Sequence, residues 1–267
     1  MKKTTTQKGF TLVELAIVMT IIGLLIGGIL KGQELILNAR VTATIAQIRA
    51  YEAAVTTFRD SFAAMPGDMP NAQTRLPGCG TANFCNPNTA AGGAGNGIVG
   101  VTNWDANWSA QGVALSASNP IGNETVLFWI HLLQADLIAG VSSTAISGAA
   151  VEWGITHPSA RIAGGFIIGY ASGANPPPGG TTGVGSTNPV GHVLALVTAP
   201  SSALANTGGT QPLTAAKAAQ MDRKMDDGRP ITGYVQAYGL ATSCNTGGLY
   251  IENINTNDCG LIFRIQG

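Results

Sequence analysis

Residues 10–30 read FTLVELAIVMTIIGLLIGGIL, 21 residues of almost unbroken apolar sequence whose single acid is Glu14. At 1.5 Å per residue a helix of that length covers about 31 Å, the thickness of one bilayer hydrocarbon core. A carboxylate inside such a segment costs about 2.5–3.5 kcal/mol on insertion scales, so it needs a partner and a purpose. Ahead of the segment lies a nine-residue basic leader, MKKTTTQKG, ending at Gly9. Behind it, from Lys31, an amphipathic pattern begins.

Three readings compete for this end of the chain. A secretory signal has an apolar stretch of about 7–15 residues followed by a small-residue cleavage site. The stretch here is longer, and KGQELILNARV after it offers no A-x-A site. A plain membrane anchor fits the length but leaves Glu14 unexplained. A cut ahead of the apolar stretch, at Gly9–Phe10, keeps the whole segment in the mature protein.

The run KGFTLVELAIVMTIIGLLIGGIL resembles the class III signal of type IV pilins and type II secretion pseudopilins, with its GFTLxE motif. The resemblance implies a prepilin peptidase that cleaves after Gly9 and methylates the new amino group of Phe10. Glu14 becomes the fifth residue of the mature chain, and in the family that acid pairs with the terminal amine of a neighbouring subunit. A buried carboxylate is tolerable when an opposite charge and hydrogen bonds compensate it. Further partners implied are other pilin or pseudopilin subunits and an inner-membrane assembly platform. The implied location is the bacterial inner membrane, single-pass with a periplasmic head, and then a pilus, a pseudopilus or the cell surface. Many type IV pilins carry helix-bending prolines in and just after the apolar segment. Residues 10–64 contain none, which predicts a straighter helix and leans toward the pseudopilin side.

The rest of the 267-residue chain is long enough to bury a core. Removing Lys2, Lys3 and Lys8 with the leader leaves 11 Lys+Arg against 14 Asp+Glu, near −3, with no basic stripe for nucleic acid. Only 10% of residues are charged while Gly is abundant (36), which suits an extracytoplasmic, loop-rich surface. Four cysteines form two local pairs, Cys79/Cys85 and Cys244/Cys259. Three connectivities are open. Local pairing is favoured because each pair closes a small Gly- and Asn-rich loop beyond a membrane segment. A zinc site lacks CxxC spacing, and His131, His157 and His192 are scattered.

Ile45, Ile48, Tyr51, Val55, Phe58, Phe62 and Met65 recur at three- and four-residue steps, a stripe for packing on the chain's own head, and Pro66–Gly67 is read as the stop. The expected organisation is a leader at 1–9, a membrane or polymerisation helix at 10–30, a spine helix at 31–65 and a head at 66–267. MPGDMPNA (65–72) reads as a turn, and residues 78–100 as a surface loop. Trp104 and Trp108 suggest burial against the spine, with sugar stacking the alternative. Asn123–Ala139 is expected to be an amphipathic helix ended by Gly140, with His131 in an interface or cap role. Four short apolar runs (165–171, 192–198, 234–240, 261–266) read as antiparallel strands, and 213–225 as a helix with Thr214 as N-cap and Gly228 as stop. The Pro/Gly-rich run 171–189 reads as a loop.

PGDMPNA and FWxHLxxAxLIxG also resemble patterns of larger pilin-like heads, as does MDRKMDDGRPITG (221–233). In that last string Asp226 and Asp227, with Asp258, form a candidate calcium site. Some pseudopilins bind calcium in a C-terminal loop with a different motif, and the bland alternative is a helix end with Arg229 offsetting the acids. GxSxG, HExxH, a phosphate loop and a Cys–His pair are all missing, so no enzyme is expected and no cofactor beyond that calcium. The expected fold is α+β: a long N-terminal helix on an antiparallel sheet head with Gly-rich loops. The expected function is a filament subunit. The alternatives are a minor tip subunit whose head binds a surface, a secretion substrate or DNA, and a tethered enzyme.

Overall fold

The computed structural model describes residues 9, 11–79, 85–87, 94–100, 124–142, 151–175, 177, 188–200, 204 and 207–265. The leader before Gly9, Phe10, Trp104, Trp108 and most of the 171–189 run lie outside the described residues. The chain divides into two compact units, Met1–Arg40 and Val41–Gly267.

Helix α1 spans Leu12–Phe62, 51 residues, and no proline interrupts it. It ends a turn earlier than Pro66 suggested. Ala63 takes φ 50°, in the left-handed region, while its N–H still reaches the Arg59 carbonyl at 2.8 Å. In the first unit the large apolar side chains from Leu12 to Leu37 are exposed. In the second, α1 buries Val41, Thr44, Ile48, Tyr51, Ala54, Val55 and Phe58, the spacing of one helical face. Ile45 and Phe62 are only partly buried, and Met65 is buried beyond the helix end.

A short helix α2 (Ala72–Arg75) and a 3₁₀ turn (Pro77–Cys79) follow. Helix α3 runs Glu124–Gln134, and every residue from Glu124 to Leu132 is buried. Apolar side chains on all sides, not one stripe, are what a helix enclosed by the head requires. It stops before the expected Gly140 because Asp136 adopts φ 56°. Leu137 N–H then bonds the Leu132 carbonyl and Asp136 N–H the Leu133 carbonyl, closing a Schellman motif without glycine.

The four expected strands form one antiparallel sheet in the order β1-β2-β6-β3: β1 Gly165–Ser172, β2 Val190–Val197, β3 Val235–Gly239 and β6 Cys259–Ile265. One face sends Phe166, Ile168, Leu194, Leu196, Leu261 and Phe263 into the core shared with α1 and α3. Tyr51 sits there edge-on to Trp129 (5.1 Å) and Phe166 (5.6 Å). The opposite face is apolar too: Ile167, Val193, Ala195, Tyr238 and Ile262 pack with Leu204 and Trp153. At about 1.5–3 kcal/mol per buried large apolar side chain, these two layers supply the main stabilisation of the head.

Helix α4 (Ala215–Met225) starts at Thr214, whose side chain accepts from Lys217 N–H. It ends at Asp226, whose N–H bonds the Asp222 carbonyl, so Gly228 belongs to the turn beyond and is not the stop. A two-residue hairpin, β4 (Asn245–Thr246) with β5 (Leu249–Tyr250), was not expected. Cys79–Cys85 and Cys244–Cys259 are disulfides, the local pairing, and the second ties the start of β6 to the loop after β3. On loop-closure entropy they contribute about 2 and about 3 kcal/mol.

Candidate functional site

The first site is the start of α1. Gly9 is exposed. Thr11 and Glu14 form a reciprocal capping box: Thr11 N–H and Oγ1–H donate to Glu14 Oε2 at 2.9 and 2.8 Å, and Glu14 N–H donates to Thr11 Oγ1 at 3.3 Å. The T-x-x-E spacing within FTLVE was visible in sequence, and its helix-starting role was missed. Beyond the box, the apolar side chains of the first unit are exposed. Leu12, Val13, Ile17, Leu24, Ile29 and Leu30 are all at least half exposed. Gly23, Gly27, Gly28 and Gly32 face open space, leaving backbone accessible along two G-x-x-x-G spacings. It is one helix long and apolar enough to cross a membrane.

The second site is the interior lock formed by PGDMPNA and the α3 string. Gly67 has φ 87°, and a side chain there would collide with the Glu124 carbonyl and the Phe128 backbone, so only glycine lets the turn approach α3. Its N–H donates to His131 Nδ1 at 2.8 Å, while His131 Nε2–H donates to the Cys85 carbonyl at 2.8 Å. The ring also stacks on Phe58. Burial drives His131 down to about 4, so it is neutral and structural. This is the interface role expected of it, with both nitrogens in use. His157 is fully buried beside Trp129 and Trp153, which drives it down to about 3. Burial, with Arg59 adding to it, lowers His192 to about 4.

The acidic turn is the third. The described carboxylates that gather are Asp222, Asp226 and Asp227, with oxygens within 4.8 Å of one another. Asp258 is not among them, which corrects the set read from sequence: it accepts instead from Gly209 N–H and Thr256 Oγ1–H. Asp226 accepts from Tyr234 and Val235 N–H, and Asp227 from Arg229 N–H (2.8 Å) and Thr232 Oγ1–H (2.6 Å). Asp222 accepts from Gly228 N–H (3.1 Å) and Tyr250 Oη–H (2.8 Å). Burial raises Asp222 to about 7, and the neighbouring acids add to it. Gly233, at φ 83°, leaves the room that the Asp226 carboxylate occupies. These carboxylates could hold a cation, but their hydrogen bonds already fold the turn and cover the outer edge of β3. Asp222, which the sequence reading did not name, lies within α4 four residues before Asp226.

A depression of about 530 Å³ beside the end of α1 is lined by Thr56, Arg59, Asp60, Ala63, Ala64, Met65 and Gly97. Among these described residues only Arg59 and Asp60 carry charge.

Residues 4–30 match the family model described as the prokaryotic N-terminal methylation motif, the signature of the prepilin-type signal of type IV pilins and pseudopilins. The chain therefore carries the N-terminal signal of a pilin- or pseudopilin-type precursor, and that signature points to a structural subunit. Compared with curated proteins and with solved structures, the chain has no match in either.

Proposed function

We propose that the protein is cleaved after Gly9, methylated on Phe10, and held by α1 in the inner membrane until it is added to a pilus or pseudopilus filament. The observation that carries this reading is the run of exposed apolar side chains from Leu12 to Leu37, headed by one acid. Such a surface needs lipid or copies of the same helix around it. Cleavage places the Phe10 ammonium at the new terminus, a charge partner of the right sign for Glu14 of a neighbouring subunit. The prepilin peptidase is then the first partner, and the assembly platform and other subunits follow.

Replacing Glu14 with Leu tests the assembly half. The expected result is normal membrane insertion, an unchanged head and loss of sheared filaments. Filaments at the wild-type level would overturn the role given to Glu14. A tip position for this subunit is the second reading, favoured by the size of the head unit, Val41–Gly267. A tip subunit is rare relative to the bulk subunit, whereas a main subunit dominates purified filaments.

A further inference from the structure

The segment Gly95–Gly100 has no helix or strand to satisfy its backbone, yet every N–H in it is accepted by a side chain. Gly95 and Asn96 donate to Asp68 Oδ1 at 2.6 and 3.3 Å, and Gly97 to Asp68 Oδ2 at 2.7 Å. Ile98 donates to Asn96 Oδ1 at 2.7 Å. Val99 donates to His192 Nε2 at 3.2 Å and Gly100 to Glu124 Oε2 at 2.8 Å. Three of the four acceptor side chains are titratable, and they come from the turn after α1, from β2 and from α3. Glu124 is 5% exposed, and its second oxygen, Oε1, is buried with no hydrogen-bond partner among the described residues.

We propose that segment 95–100 is a proton-operated latch, held closed on α3 while the Glu124 carboxyl carries a proton and loosened when that carboxyl ionises against Asp68. The Gly100 bond survives protonation, because a neutral carboxyl still offers an oxygen lone pair. What ionisation adds is a buried negative charge with one unsatisfied oxygen beside a second carboxylate, and that favours the open loop.

The groups facing Glu124 set the window. Burial raises it to about 7, the Gly100 N–H pulls the other way, and Asp68 raises it further. Asp68, reached through the turn at Gly67, is itself raised by burial against its three N–H bonds. His192 and His131 are neutral down to about 4, and Arg59 disfavours a charged His192. The sign follows from linkage. A carboxyl raised in the closed state stabilises it fully below its free value near 4.5, and that contribution is lost as pH rises through about 7. His192 works oppositely: its contribution is present above its free value of 6.5 and is lost as pH falls toward about 4.

Amide hydrogen exchange on the full chain in detergent, at pH 5–8 and corrected for intrinsic rates, tests the latch in wild type and in Glu124→Gln. Glutamine keeps an acceptor for Gly100 but cannot ionise, so the wild-type-to-variant ratio of Gly100 protection isolates the Glu124 proton from the His192 effect. That ratio should fall about tenfold per pH unit between 5 and 7 and level off above 7, while amides of β2 show a constant ratio. A constant ratio at Gly100 overturns the proposal. Wild-type protein alone provides a second measurement should the variant not fold. The Glu124 carboxyl carbon and the Gly100 amide proton should titrate together near pH 7. A Glu124 midpoint near 4.5, or a Gly100 shift that ignores it, overturns the latch.

Discussion

The two units of this chain solve opposite problems with the same elements. Up to Arg40, α1 shows apolar side chains outward and satisfies its backbone internally, within the helix. From Val41 the same helix turns a stripe inward, and several polar groups of the head are tied to one another: His131 to Gly67 and Cys85, Asp226 to Tyr234 and Val235, Asp68 to Gly95 and Gly97. The first unit leaves its apolar side chains exposed. The second packs most of its described apolar side chains into a core of its own. Sequence changes should therefore separate cleanly into those that touch assembly and those that touch folding.

The largest folding effect belongs to α3. Phe128 is fully buried between the helix and its neighbours, and Phe128→Ala should cost about 3–5 kcal/mol. For a head of this size that lowers the melting temperature by about 6–20 °C, read by circular dichroism. A shift below 2 °C would mean that α3 is not the centre of the head.

A smaller effect, and one that depends on pH, sits at His157. This ring is buried and neutral to about pH 3, so its contribution is present above 6.5 and is lost as pH falls. His157→Phe removes the titration. Relative to wild type the variant should gain about 1.4 kcal/mol per pH unit from 6.5 down to 4, measured by denaturant titration at each pH. Parallel curves for the two proteins would show that His157 is not buried neutral.

The smallest effect tests the other side of the contrast. Leu24 is 78% exposed, so Leu24→Ala should move head stability by less than about 0.5 kcal/mol. A larger shift would show that the two units are not independent in folding.

The same contrast explains what could be read from sequence. The signal and helix at the start of the chain were legible because GFTLVE is a local motif and the apolar run after it is long and unbroken. The sheet strands were legible because Gly, Pro and Asn bracket short apolar runs, as at GFIIGYA and HVLALVT. Thr214 was legible as a cap because capping works within three residues. The head's polar network was not, since most of its partners lie 24 to 93 residues apart, as in Gly100–Glu124 and Val99–His192. Asp258 was grouped with Asp226 by residue type, whereas the fold brings in Asp222. The end of α3 was misplaced because Asp136 adopts a backbone conformation that sequence reasoning reserves for glycine. The length of α3's stripe misled in a simpler way: a helix wholly enclosed looks amphipathic wherever a few polar residues are buried with partners, as Glu124 and His131 are.

The central claim is that the apolar helix is kept, and only the nine residues before it are removed. Intact mass of the protein from cells with and without the prepilin peptidase tests this most directly. The account predicts loss of residues 1–9 and gain of one methyl group on Phe10, only when the peptidase is present. A chain left uncut in its presence, or cut beyond Leu30, would contradict it.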